Sequence, residues 1–130
     1  MIYEDQGITR MIEGGCFCRS IRYSIDEGDY RIVNCHCTMC RKTSGAPFVT
    51  WMVVPKEAFH YTKGGPRGLQ SSDKGFREFC PDCGTPLAFV SSDRPDYIDI
   101  TTGSLDAPGD FAPTCAVHEE SKLAWLGTTE

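Results

Sequence analysis

The chain has 130 residues, the size of one ordinary domain, with 13 Lys and Arg against 18 Asp and Glu for a formal net charge of -5. This acidic balance argues against partners held by their phosphates, so neither nucleic acid nor an anionic membrane is expected, and no apolar run approaches the roughly 20 residues of a membrane span. Met1 to Gln6 has neither a basic start nor an apolar stretch for export, which makes the cytoplasm the expected compartment.

Thirteen Gly and eight Pro punctuate the chain and leave Asp29 to Ser44 as its longest uninterrupted segment. Taken in order, Ile21 to Ile25 alternates as a strand does and Arg31 to Asn34 is a weaker strand candidate. Phe48 to Val54 is apolar and β-branched, and Phe59 to Lys63 is again weaker. Lys63 to Gly68 reads as a glycine-rich hairpin turn, with no helix pattern after it to make a phosphate cradle. Leu69 to Ser72, Gly75 to Phe79 and Leu87 to Ser91 follow as short strand candidates, and Tyr97 to Thr101 alternates clearly. The expectation is one domain over 1–130, mainly β, built of small antiparallel sheets with two or three short helical turns.

Eight cysteines make up about 6% of the chain, below the roughly 8–10% of a disulfide scaffold. In a reducing compartment, closely spaced thiols are metal ligands or catalytic groups more often than disulfides. Seven of them fall in three groups: Cys16 and Cys18; Cys35, Cys37 and Cys40; Cys80 and Cys83. Cys80-Pro81-Asp82-Cys83-Gly84 reads as a zinc knuckle, a tight turn in which Gly84 supplies a positive φ. A structural zinc needs four such ligands. One partition gives Cys16, Cys18, Cys80 and Cys83 to a closed structural zinc, and leaves Cys35, Cys37 and Cys40 holding a second zinc with an open position. A rival pairs Cys16 and Cys18 with Cys35 and Cys37 and closes the other site with Cys40, Cys80, Cys83 and Cys115. Either implies two zinc ions per chain. An open three-thiolate site acidifies bound water weakly but exchanges its fourth ligand for sulfur, so its expected substrate is a thiol.

Several residues have plainer readings. His36, between two ligands in an extended segment, would point away from them, and Cys115 reads as a small hydrophobe unless a helical segment brings His118 beside it. His60 reads as a surface strand residue, and adjacent Glu119 and Glu120 as a solvated edge. Trp51 and Trp125 read as core.

Gly14-Gly15-Cys16-Phe17-Cys18, Cys35-His36-Cys37-Thr38-Met39-Cys40-Arg41-Lys42, Phe79-Cys80-Pro81-Asp82-Cys83-Gly84-Thr85 and Gly103-Ser104-Leu105-Asp106 together resemble the glutathione-dependent formaldehyde-activating enzymes, a domain family shared with centromere protein V. The resemblance covers about Gly14 to Trp125. It implies a β-tent fold around zinc, the open partition of the cysteines, and a carbon-sulfur lyase that joins glutathione reversibly to formaldehyde. Cys35, Cys37 and Cys40 would then be the catalytic group; Arg19, Arg41 and Lys42, beside the second metal group, are candidate anchors for the carboxylates of glutathione, although each reads more readily as ordinary surface charge. The chain departs from the family's Pro-x-x-His-Ile-aromatic at Pro113-Thr114-Cys115-Ala116-Val117-His118, where Ala116 stands in place of the histidine and Cys115 or His118 are possible substitutes. Two rivals compete with an enzyme. One is a zinc-stabilised binding module with two inert sites, and the other a redox-responsive protein that releases zinc on oxidation.

Overall fold

Residues 10–129 are described by the structure, a computed structural model; Met1 to Gln6, which bear on export, lie outside the described residues. β1 (Met11–Gly15), β2 (Arg22–Asp26) and β5 (Phe59–Lys63) form a three-stranded antiparallel sheet in that order. β3 (Arg31–Cys35), β4 (Val49–Pro55), β6 (Arg67–Gln70), β7 (Gly75–Phe79), β8 (Pro86–Ser91), β9 (Tyr97–Thr101) and β10 (Cys115–Val117) form a seven-stranded sheet in the order β10-β3-β4-β9-β8-β7-β6. Every pair is antiparallel except β10 with β3. The helical part is α1 (Thr38–Ser44), α2 (Leu126–Thr129) and four 3₁₀ turns. Among the described residues no helix is long and apolar enough to cross a membrane.

The fold is therefore mainly β, as composition and alternation predict, with three differences. One sheet is large rather than small. β1 and β10 have no clear sequence signal, since Met11 to Gly15 ends in two glycines and Cys115 to Val117 is only three residues long. The loop from Lys63 to Gly68 is not a hairpin: it carries the chain from one sheet to the other. Gly64 is held at φ +70, and any Cβ there would stand 2.2 Å from the Ser20 carbonyl oxygen.

The pleat gives the large sheet two unlike faces. Ile32, Met52, Ile100 and Ala88 stand opposite one another across β3, β4, β9 and β8, and pack with Ile21, Tyr23 and Ile25 into the core between the sheets. One residue along, Arg31, Val53, Asp99, Phe89, Arg77 and Leu69 form a row across six strands on the opposite face. A second cluster, of Val33, Cys35, Cys40, Val49 and Trp51, lies apart from the inter-sheet core. β4 accordingly buries residues on both sides, which is why its sequence reads as a continuous apolar run.

The Gly103-Ser104-Leu105-Asp106 segment packs against the small sheet. Ser104 shares a 2.6 Å hydrogen bond with the Tyr23 hydroxyl, Asp106 takes both guanidinium nitrogens of Arg22, and Gly14 is required because a Cβ would meet the Tyr23 oxygen at 2.4 Å. Burial pushes the Tyr23 phenol up to about 12. An unfolded tyrosine ionises near pH 10, so the contribution of a neutral buried Tyr23 is fully present below about pH 10 and is lost as pH rises towards 12. Tyr23→Phe should flatten the alkaline limb of a urea-midpoint against pH profile; an unchanged slope above about pH 10 would contradict this.

Candidate metal centres

Cys16, Cys18, Cys80 and Cys83 lie on two tight turns that face each other. In the first, Cys16 N–H donates to Ile21 O at 3.1 Å and Arg19 adopts φ 69. In the second, Gly84 N–H donates to Cys80 O at 2.9 Å, and Gly84 has the positive φ, 83, that the knuckle sequence requires. All four sulfurs lie within 4.8 Å of one another, with Cys16 to Cys18 at 3.7 Å and Cys18 to Cys80 at 3.8 Å. Four sulfurs placed at about 2.3 Å from a tetrahedral centre are about 3.8 Å apart, so this group can hold a metal ion and its geometry is consistent with zinc.

The surrounding donors favour thiolates. Backbone N–H groups of Ile21, Asp82 and Cys83 point at Cys16 or Cys80 sulfur. The Ser20 hydroxyl lies 3.1 Å from Cys18 Sγ and 3.3 Å from Cys80 Sγ. Thr85 Oγ1 accepts the Phe17 N–H and sits 3.2 Å from Cys83 Sγ, and its hydrogen bonding lowers the Cys83 thiol to about 5. Ser20 and Thr85 thus tie the two turns together, a role their sequence positions do not announce.

Cys35, Cys37 and Cys40 form a second group, again with all sulfurs within 4.8 Å. Cys35 ends β3, Cys37 caps α1 by accepting the Cys40 N–H at 3.2 Å, and Cys40 sits in the first helical turn. The segment turns into a helix after Cys37 rather than running extended, and Gly45 at φ 72 ends that helix. Within the trio, hydrogen bonding from Cys35 acts most strongly to lower the Cys40 thiol, to about 5, with Cys37 and Arg77 adding to it, while Cys35 itself is raised.

Arg77 is the residue the sequence hides. It reads as an alternating position of β7, yet its side chain is 8% exposed, both terminal nitrogens lie 3.8 Å from Cys40 Sγ, Nε donates to Ser71 Oγ at 3.1 Å, and the guanidinium lies over Phe89 at 4.7 Å. Three thiolates around one divalent ion carry a net charge of about -1, and a buried guanidinium cancels it. The trio also lines a cavity of about 300 Å³ with Arg31, Trp51 and Arg94. Arg94 is committed to Asp99 by two hydrogen bonds, 3.2 and 2.6 Å, and burial raises the Asp99 carboxyl against that pull.

Other candidate residues fall elsewhere. His36 is buried against Phe48, its Nδ1 without a partner, and is in neither sulfur group. Cys115 belongs to neither group; it is exposed on β10, 3.5 Å from an Arg31 nitrogen. Because Cys115 to Val117 is a strand rather than a helix, no helical turn brings His118 to Cys115; His118 instead lines the second cavity. Arg19 lines a recess beside the first group, while Arg41 donates to the Ser121 carbonyl and, with Lys42 and Trp125, lines a separate surface hollow. Trp51 is buried and walls the second cavity, whereas Trp125 is 54% exposed. His60 is exposed on β5 and bonds Asp26 at 3.1 Å, and Glu119 and Glu120 are exposed in a 3₁₀ turn.

Residues 11–121 match the family described as glutathione-dependent formaldehyde-activating enzyme. A curated relative, described as an uncharacterized lyase from Schizosaccharomyces pombe, is 28% identical over 89 residues, which are 67% of this chain and 64% of the relative's length. A crystal structure of a Rhodobacter sphaeroides protein superimposes with a TM-score of 0.65 at 19% identity, over 82% of this chain and all of that one, and so shares the fold.

Cys83→Ser should lose one metal ion and unfold, since a structural zinc contributes roughly 10–16 kcal/mol, comparable to or above the stability of a small domain. Cys37→Ser should stay folded with one metal ion fewer; circular dichroism with elemental analysis checks both. Arg77→Met should weaken metal binding at the trio at least tenfold while leaving the four-sulfur site intact, as read by competition with a chromophoric chelator.

Proposed function

Because the chain belongs to the family of glutathione-dependent formaldehyde-activating enzymes, we propose that it is a two-zinc carbon-sulfur lyase that joins a small thiol, glutathione, reversibly to an aldehyde such as formaldehyde. The observation that carries this reading is the convergence of Cys35, Cys37 and Cys40 on one cavity, with all three lining it. Three protein sulfurs leave one tetrahedral position to a ligand from solution. Zinc held by Cys35, Cys37 and Cys40 would keep an incoming thiol ionised at neutral pH.

The remaining work falls to the chain. Arg31 is exposed on the rim of this cavity, 3.5 Å from the Cys115 sulfur and close enough to Asp99 to favour its charged form, and it suits a carboxylate of the thiol. Arg94 is held away from that role by Asp99. Arg77 fixes Cys40 and offsets the negative charge of the sulfurs. The thiol sulfur then lies beside the bound aldehyde: a carbon-sulfur bond forms, the carbonyl π pair moves to oxygen, and the proton lost from sulfur ends on that oxygen through solvent. Much of the gain comes from proximity, since no strong base is required.

Exchange between ¹³C-formaldehyde and its glutathione adduct, followed by NMR, should accelerate with micromolar zinc-loaded wild type and not with Cys37→Ser. Absence of acceleration by the two-zinc protein would overturn the reading.

A further inference from the structure

Beside Arg77 lies another cavity of about 300 Å³, and the two cavities adjoin where Trp51 and Arg77 line both. On α1 it is flanked by Thr43 and Ser44, one helical turn past Cys40 and on the same side of the helix. Its walls are Val49, Trp51, Leu69, Phe79, Pro86 and Ala88.

The polar groups at its edge are already engaged. Thr43 donates to Met39 O at 2.7 Å, Ser44 to Cys40 O at 2.7 Å and Thr101 to Pro86 O at 2.8 Å, while Glu78 accepts the Tyr61 hydroxyl at 2.7 Å. Arg77 donates its Nε–H to Ser71 and turns both terminal nitrogens toward Cys40, on the side of the other cavity. Water or a polar ligand would find few free partners here, whereas a hydrocarbon chain forfeits no hydrogen bond.

We propose that this cavity receives the hydrocarbon chain of the carbonyl substrate, so that the protein acts on aldehydes of about six carbons, aliphatic or aromatic, and not on formaldehyde alone. The inference rests on the thiol-aldehyde reading above. The thiol itself is not the occupant, because its carboxylates would be desolvated against apolar walls while Arg31 waits on the rim of the adjoining cavity. Formaldehyde, with no chain, would leave the cavity unfilled. In the reaction the thiol sulfur bonds to the carbonyl carbon, the π pair moves to oxygen, and the proton lost from sulfur ends there; the product is a hydroxyalkyl thioether, and no oxidant or reductant takes part.

Calorimetry on the zinc-loaded protein with S-methylglutathione and S-hexylglutathione, stable mimics of the adduct, tests this. The hexyl compound should bind at least 30-fold tighter, at about fourfold per methylene that reaches the cavity. Leu69 is half-exposed on the edge strand β6, so Leu69→Glu should fold normally and cut the hexyl-to-methyl affinity ratio at least tenfold. Equal affinities in the wild type, or a ratio unchanged by Leu69→Glu, would overturn the proposal. Methyl NMR with 1-hexanol separates it from the thiol reading. Shifts at Val49 and Leu69 with neither thioether bound would sink the thiol reading and support the alkyl site; no shift at these methyls would overturn the alkyl site.

Discussion

Two sheets of this protein meet at a point where four sulfurs would repel one another as thiolates unless a cation sat among them. Cys16 and Cys18 come from the turn that joins β1 to β2, and Cys80 and Cys83 from the turn between β7 and β8. Clamping those turns fixes the small sheet over the large one, and Cys16 and Cys80 are themselves part of the core that forms between them. Much else depends on that alignment: the Tyr23 hydroxyl reaches Ser104, and Asp106 reaches Arg22, only when β2 lies across the end of β9. A metal ion held there would link the core across the two sheets and help a chain of modest hydrophobic content keep a large sheet in place.

The second constraint is charge. Sulfur-rich sites accumulate negative charge, and the two sites disperse it by different means. At the first, backbone N–H groups and the hydroxyls of Ser20 and Thr85 spread it over neutral donors near the surface. At the second, buried under α1, neutral donors are fewer and a full guanidinium, Arg77, is brought in. Burying an arginine without a partner would cost several kcal/mol, so its place beside Cys40 makes sense only if Cys40 carries charge in the working protein. The two sulfur groups therefore differ in kind: one offers four protein sulfurs that could clamp a metal ion, the other three sulfurs beside an arginine, facing a cavity.

Arg77 also borders both cavities. On one side the cavity wall is cationic and includes Arg31; on the other it is apolar and its hydroxyls are engaged. A pleated sheet produces such a division readily, because one row of residues across its strands can pass from Arg31 through Asp99 and Phe89 to Leu69 without any change of backbone geometry.

The sequence by itself determined the β character of the fold, the strand cores at Tyr23, Met52 and Ile100, the knuckle glycine at Gly84 and the cysteines available for ligation, because alternation, turn chemistry and close spacing are local properties. It left open which cysteines group together, since Cys16 and Cys80 are far apart along the chain and only the approach of two turns brings them into contact. It kept His36 out of the sulfur groups, as the structure does, but missed the start of α1 after Cys37, and it passed over β10, whose parallel pairing with β3 no local signal encodes. Its candidate anchors, Arg19, Arg41 and Lys42, lie close to the cysteines in sequence, whereas the cations that line the cavity of the trio include Arg31 and Arg77, from different strands. Which cations face which sulfurs is set by strand order and register, and those are decided by packing across the whole sheet rather than by any stretch of it.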